Sequence, residues 1–135
     1  MNIEGGCLCG AVRYRIDEPL SQVGSCHCSM CRRAHGAAFV TFAGVKPGTA
    51  HWTAGEGELT VYESSESGRR CFCRRCGSQL GAVENGELRW LALGTVDGDP
   101  GVRPEAHIFT GSKAPWHEIT DQLPQFDAYP PGMDA

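Results

Sequence analysis

The sequence predicts one mainly β domain over residues 1–135, and three observations carry that expectation. Turn-forming residues run through the whole length, 18 glycines and 8 prolines in 135 residues, so the segments between them are short. One of those segments alternates apolar and polar residues with the period of a strand. No stretch has the apolar spacing of a long amphipathic helix.

The elements follow in order. Val12, Tyr14 and Ile16 alternate with Arg13, Arg15 and Asp17, the pattern of a strand with one buried face. "AAFVTF" (residues 37–42) and "ELTVYES" (residues 58–64) are further strand candidates, rich in β-branched and aromatic side chains. In "LGAVENGELRWLAL" the pair Asn85-Gly86 separates two strand-like runs and supplies the positive φ values of a type I′ turn, so this segment reads as a β-hairpin. Beyond "VDGDPGVRP" comes one short strand, "EAHIF", and then a proline-punctuated tail whose Trp116, Phe126 and Tyr129 are expected to lie across the sheets. There is no repeat, linker or low-complexity segment.

Composition narrows the function. Hydrophobic residues make up 41% and charged residues 21% of the chain, too apolar for intrinsic disorder. A net charge of −4 gives no basic field for phosphates, which argues against nucleic acid as a partner. The N-terminus "MNIEGGCLCG" has neither a basic nor an apolar leader region, and no run approaches the roughly 18 apolar residues of a membrane span. A soluble cytoplasmic protein is expected.

Eight cysteines in a reducing compartment point to metal or catalysis rather than disulfides. The competing reading, a secreted disulfide scaffold, meets no signal peptide, and a bridge inside a Cys-x-Cys pair is strained. The thiols form three clusters: "GCLCGA" (Cys7, Cys9), "CHCSMC" (Cys26, Cys28, Cys31) and "CFCRRCGS" (Cys71, Cys73, Cys76). Cys9 and Cys76 are each followed by glycine, which can take positive φ and turn backbone N–H groups toward a sulfur. Cys7, Cys9, Cys73 and Cys76 therefore complete the four thiolates of a tetrahedral structural zinc site. Cys26, Cys28 and Cys31 have no fourth partner in sight, and three protein ligands with one open position are the pattern of catalytic zinc.

Arg32, Arg33, Arg69, Arg70, Arg74 and Arg75 flank the clusters and would form a basic rim suited to carboxylates if the clusters converge; singly, each also reads as a solvated surface charge. His27 sits between two candidate ligands and is expected to point away from them. His35, His51 and His117 read as surface or packing residues, and His107 as a satisfied core histidine rather than a ligand.

The ordered set "GGCLCGAVRY", "CHCSMCRRAHGAAF", "FCRRCGSQL" and "RPEAHIFTGSKAPWHEI" resembles the glutathione-dependent formaldehyde-activating enzyme family, also called the Gfa or centromere protein V-like family, over nearly the whole chain. The resemblance implies an Mss4-like β-tent of zinc-pinned antiparallel sheets. It makes Cys7, Cys9, Cys73 and Cys76 the structural zinc ligands and Cys26, Cys28 and Cys31 the catalytic ones. It implies a carbon–sulfur lyase that adds glutathione, or another small thiol, to formaldehyde or a related aldehyde. Cys71 departs from the pattern: residues two apart on a strand share a face, so it could approach a metal site and close it, or be a small buried residue. The alternative to an enzyme is a zinc-stabilised β-tent binding module, because fold does not fix function.

Overall fold

The computed structural model describes residues 2–132. Two sheets form. The smaller has three antiparallel strands in the order β1 (Ile3–Gly6), β2 (Arg13–Ile16) and β5 (Ala50–Ala54). The larger has seven, in the order β10 (Ala106–Ile108), β3 (Ser21–Cys26), β4 (Val40–Gly44), β9 (Glu87–Ala92), β8 (Gln79–Glu84), β7 (Arg69–Cys73) and β6 (Leu59–Glu63). One short α-helix, α1 (Ser29–His35), and three single 3-10 turns interrupt the strands among the described residues. The protein is mainly β, as expected, and no helix of the described residues is long and apolar enough to cross a membrane.

The core lies between the sheets. Tyr14 and Ile16, the buried face of the alternating β2 segment, pack with Ile3 and Val12 against Val23, Ala43, Leu80, Leu88 and Leu91 of the larger sheet. The Tyr14 hydroxyl is not left unpaired in this apolar setting, since it hydrogen-bonds Thr95 Oγ1 at 2.7 Å. The β8–β9 hairpin closes through Asn85 (φ 55°) and Gly86 (φ 76°), the two positive values that a type I′ turn requires.

Three features differ from the sequence-based reading. The strand expected over residues 37–42 begins at Val40, because α1 ends on Gly36 in the left-handed conformation and the chain needs several residues to re-enter the sheet. The strand β3 has no strand-like sequence; Gln22 sits at φ 52° and the register shifts between Ser21 and Gly24. And one pair is parallel: β10 runs alongside β3, pairing His107 with Ser25 and Ile108 with Cys26. The tail then follows β10, where Phe126 donates its N–H to the His107 carbonyl and Thr110 donates to the Phe126 carbonyl. Phe126 thus lies along the larger sheet as expected, whereas Trp116 stands exposed.

The close approach of β8 and β9 makes one position intolerant. Gly81 has φ 143°, and a Cβ there would overlap the carbonyl oxygen of Trp90. Gly81→Ala is expected to cost roughly 2–5 kcal/mol through backbone strain and sheet displacement. Denaturant unfolding of metal-loaded protein checks this as a lowered midpoint with unchanged slope; a midpoint equal to that of the parent refutes it.

Candidate metal and active site

The first cluster is built from two turns on different sheets. Cys7 and Cys9 follow β1, Cys73 ends β7, and Cys76 lies in the turn to β8. Gly10 (φ 81°) and Gly77 (φ 79°) take the left-handed values expected of residues after the ligands, and the Gly77 N–H reaches back to the Cys73 carbonyl at 2.7 Å. The four sulfurs lie within 4.8 Å of one another, with Cys7–Cys9 at 3.6 Å and Cys9–Cys73 at 3.8 Å. A tetrahedron with zinc–sulfur bonds of ~2.3 Å has edges of about 3.8 Å, so the donor set and its spacing fit zinc.

The surroundings favour thiolate at two of these sulfurs. The Cys76 thiol is lowered to about 5, first by the Ser78 hydroxyl at 3.2 Å and then by nearby backbone N–H groups. Burial works against ionisation of Cys7, but the Val12 N–H at 3.3 Å and the sulfurs of Cys9 and Cys73 outweigh it. Ser78 also accepts the Leu8 N–H at 2.9 Å, tying one turn to the other across the sheets. The sequence offered no signal for this role beyond Ser78 standing two residues after Cys76.

The second cluster gathers where β3 meets α1. Cys26 ends the strand, Cys28 caps the helix, and Cys31 lies one turn inside it; their sulfurs are within 4.8 Å of one another. Cys28 has extended backbone (φ −65°, ψ 155°), and its sulfur accepts the Cys31 N–H at 3.3 Å, the work of an N-cap side chain. Hydrogen bonds from Cys26 and Cys31 hold the Cys28 thiol low, while the bond to Cys28 pushes Cys26 up. Three sulfurs this close cannot all ionise without a cation among them, so this donor set also fits a divalent soft metal. Val40, Phe42, Ile108 and Phe109 form the apolar packing around it.

Cys71 joins neither cluster. It is fully buried in the core on the same face of β7 as Cys73, and burial pushes its thiol up to about 12. The small-buried-residue reading of this eighth cysteine is the one the structure bears out.

The histidines behave as expected in direction and add something in connection. His27 turns away from the thiols between which it sits and is fully buried. Its Nε2 lies 2.8 Å from His107 Nδ1, and His107 Nε2 lies 2.9 Å from the Asp121 carboxylate. A carboxylate only accepts, so His107 donates from Nε2, and as a neutral imidazole it then accepts at Nδ1 from His27 Nε2–H. Packing of His27 against Phe39, with ring centroids 4.9 Å apart, completes a brace that runs from the tail to the loop carrying Cys26 and Cys28. Sequence reasoning missed Asp121, which no local motif marks.

The arginines divide. Arg69 pairs with Glu63, and Arg74 and Arg75 with Glu58, so these three are surface ion pairs and not part of a common rim. Arg70 instead points its Nη2 at Cys31 Sγ, 3.5 Å away. Beside it a cleft of about 370 Å³ opens between α1 and the β6–β8 face, lined by Arg33, Tyr62, Ser64, Arg70, Phe72 and Gln79 among others. A depression of similar size, about 390 Å³, lies elsewhere near Gln22 and Trp90; neither lining includes a cysteine, and what distinguishes the cleft is Arg70, which lines it and reaches Cys31 of the three-thiol cluster.

A mainly β tent whose sheets meet at a four-cysteine cluster, with a separate three-cysteine cluster at a helix cap, defines an Mss4-like protein with two candidate zinc centres. The chain belongs to the glutathione-dependent formaldehyde-activating enzyme family, whose model matches residues 2–112. It is 32% identical to a Halomonas elongata protein described as "Putative glutathione-dependent formaldehyde-activating enzyme", over 96% of this chain and 90% of that one. An uncharacterised lyase of Schizosaccharomyces pombe is 33% identical over 57% of this chain and 54% of its own. Among solved structures, a Rhodobacter sphaeroides protein superposes with a TM-score of 0.57 at 25% identity, covering 71% of this chain and 89% of that one.

Proposed function

We propose that this chain, a single domain over residues 1–135, is a zinc-dependent carbon–sulfur lyase that adds a small thiol, glutathione in the first instance, to formaldehyde or a related aldehyde. The observation that carries the reading is the separation of a three-thiol cluster, with no fourth cysteine beside it, from a complete four-thiol cluster. Cys7, Cys9, Cys73 and Cys76 would hold a structural zinc, and Cys26, Cys28 and Cys31 a catalytic one. When bound by three ligands, zinc acidifies a thiol that takes its open position.

The chain's own residues supply the rest. The Cys31 N–H, donated to the Cys28 sulfur at the start of α1, and the Arg70 guanidinium beside Cys31 offset part of the negative charge of three clustered thiolates. Phe42, Ile108 and Phe109 keep one side of the cluster apolar, which favours a thiolate poised to attack over one solvated by water. The His27–His107–Asp121 brace fixes the loop that carries two of the three thiols. The reaction is an addition without redox change: a sulfur–carbon bond forms, the carbonyl π bond opens, and the proton lost from sulfur is balanced by one gained at the aldehyde oxygen.

Metal analysis of protein purified without chelator, followed by glutathione titration, tests this. Two zinc equivalents are expected, the second more easily removed, together with proton release near neutral pH in buffers of differing ionisation enthalpy and much weaker binding of S-methylglutathione. A protein that holds one zinc and ignores glutathione refutes the lyase reading in favour of the binding module.

A further inference from the structure

We infer that the cleft between α1 and the β6–β8 face is the seat of a free carboxylate on the thiol substrate, held by Arg70 and Arg33. This rests on the reading of Cys26, Cys28 and Cys31 as the place where the thiol sulfur arrives.

Four observations converge on it. The cleft is lined by two guanidiniums and no carboxylate, on a chain whose net charge is −4. Three of the six cluster-flanking arginines already hold glutamates, whereas Arg33 and Arg70 reach no acidic partner among the described residues. Arg70 Nε and the Gln79 side-chain oxygen are both buried with no hydrogen-bond partner, although each residue lines the cleft. An unmet guanidinium donor and an unmet amide oxygen are each costly, and a peptide carboxylate with a neighbouring amide N–H would satisfy both; the Gln79 amide, turned over, can serve either role. Finally, Arg70 links the two regions: its Nη2 lies 3.5 Å from Cys31 Sγ, and the residue is part of the cleft lining.

Register explains why the sequence hid this. Tyr62 stands opposite Arg70 across β6 and β7, and Phe72 opposite Gln79 across β7 and β8, so residues from three strands share the face that α1 covers. Phe72 and Tyr62 offer apolar floor for methylene groups, and Arg33 projects from α1 onto the same space. A peptide with its sulfur at the three-thiol cluster would lay its chain along this floor.

Calorimetry on the zinc-loaded protein tests the inference with three probes: glutathione, its glycine ethyl ester, and ophthalmate, in which a methyl group replaces the thiol. Esterification is expected to weaken binding roughly tenfold to a hundredfold, the scale of a charge-assisted hydrogen bond. Arg70→Gln should cause a similar loss in glutathione binding, and the ester should lose little more on that variant. Arg33→Gln, on the exposed side of α1, repeats the test without touching the Cys31 neighbour. Ophthalmate should still shift the backbone amide resonances of Arg70 and Gln79 without releasing a proton. If glutathione releases its proton but the ester binds equally well and neither arginine matters, the cleft inference is overturned while the thiol reading stands. If ophthalmate and glutathione both perturb Arg70 and Gln79 yet no proton is released, the carboxylate seat stands and the thiol reading fails.

Discussion

Cys9→Ser and Cys76→Ser are each expected to abolish the cooperative fold, seen as loss of near-ultraviolet circular dichroism and of a sharp thermal transition. The four-cysteine cluster joins the turn after β1 in one sheet to the β7–β8 turn in the other, so it closes a chain loop whose sulfurs come from residues 9 and 73 and lie 3.8 Å apart. Binding of a structural zinc contributes roughly 10–16 kcal/mol in small zinc-folded units. Net stabilities of whole domains are only about 5–15 kcal/mol. Removing one of four thiolates therefore takes away an amount comparable with the entire margin. A serine variant that melts within a few degrees of the parent, with zinc still bound, would rule out a structural role for this cluster.

Cys28→Ser is expected to do the opposite: an unchanged melt with activity lowered by at least about a thousandfold and one zinc equivalent lost. Serine is among the best N-cap residues, and its hydroxyl can accept the Cys31 N–H as the sulfur does, so α1 keeps its cap. What serine lacks is a low-pKa sulfur to complete a soft three-ligand site. Cys28→Ala separates the two roles, because it loses both the ligand and the cap and should cost about 1 kcal/mol of stability in addition. Metal content, thermal melts and a thiol–aldehyde addition assay together check the pair. Equal destabilisation by Cys28→Ser and Cys76→Ser would mean that the two clusters do not divide structure from chemistry.

Much of this was legible in the sequence because it is written locally. Alternation in residues 12–16 announces a strand with one buried face, Asn85-Gly86 announces the β8–β9 hairpin, and a glycine after Cys9 and after Cys76 announces turns with positive φ. The grouping of seven thiols into four and three followed from those same glycines, and the structure brings together those two groups. Each of these signals depends only on a residue's own torsional freedom or on neighbours a few positions away.

What only the tertiary structure decided is non-local. The parallel pairing of β10 with β3 sets His107 beside the loop of the three-thiol cluster, and the tail then delivers Asp121 to it from 14 residues further on. No spacing rule in the sequence encodes a contact made by two neighbouring strands some 80 residues apart, the separation of His27 from His107, and a tail. Cys71 was ambiguous for the same reason: its face of β7 was predictable, but whether that face met a metal cluster or the apolar core depended on which sheet packed against it. The arginines make the point most plainly. Arg69, Arg70, Arg74 and Arg75 are alike in composition and in distance from a cysteine, yet three find glutamates while Arg70 faces Cys31 and an open cleft. The sequence by itself determined the kinds of chemistry present; strand register and the packing of α1 determined which arginines pair with the protein's own acids and which one faces the three-thiol cluster and the cleft beside it.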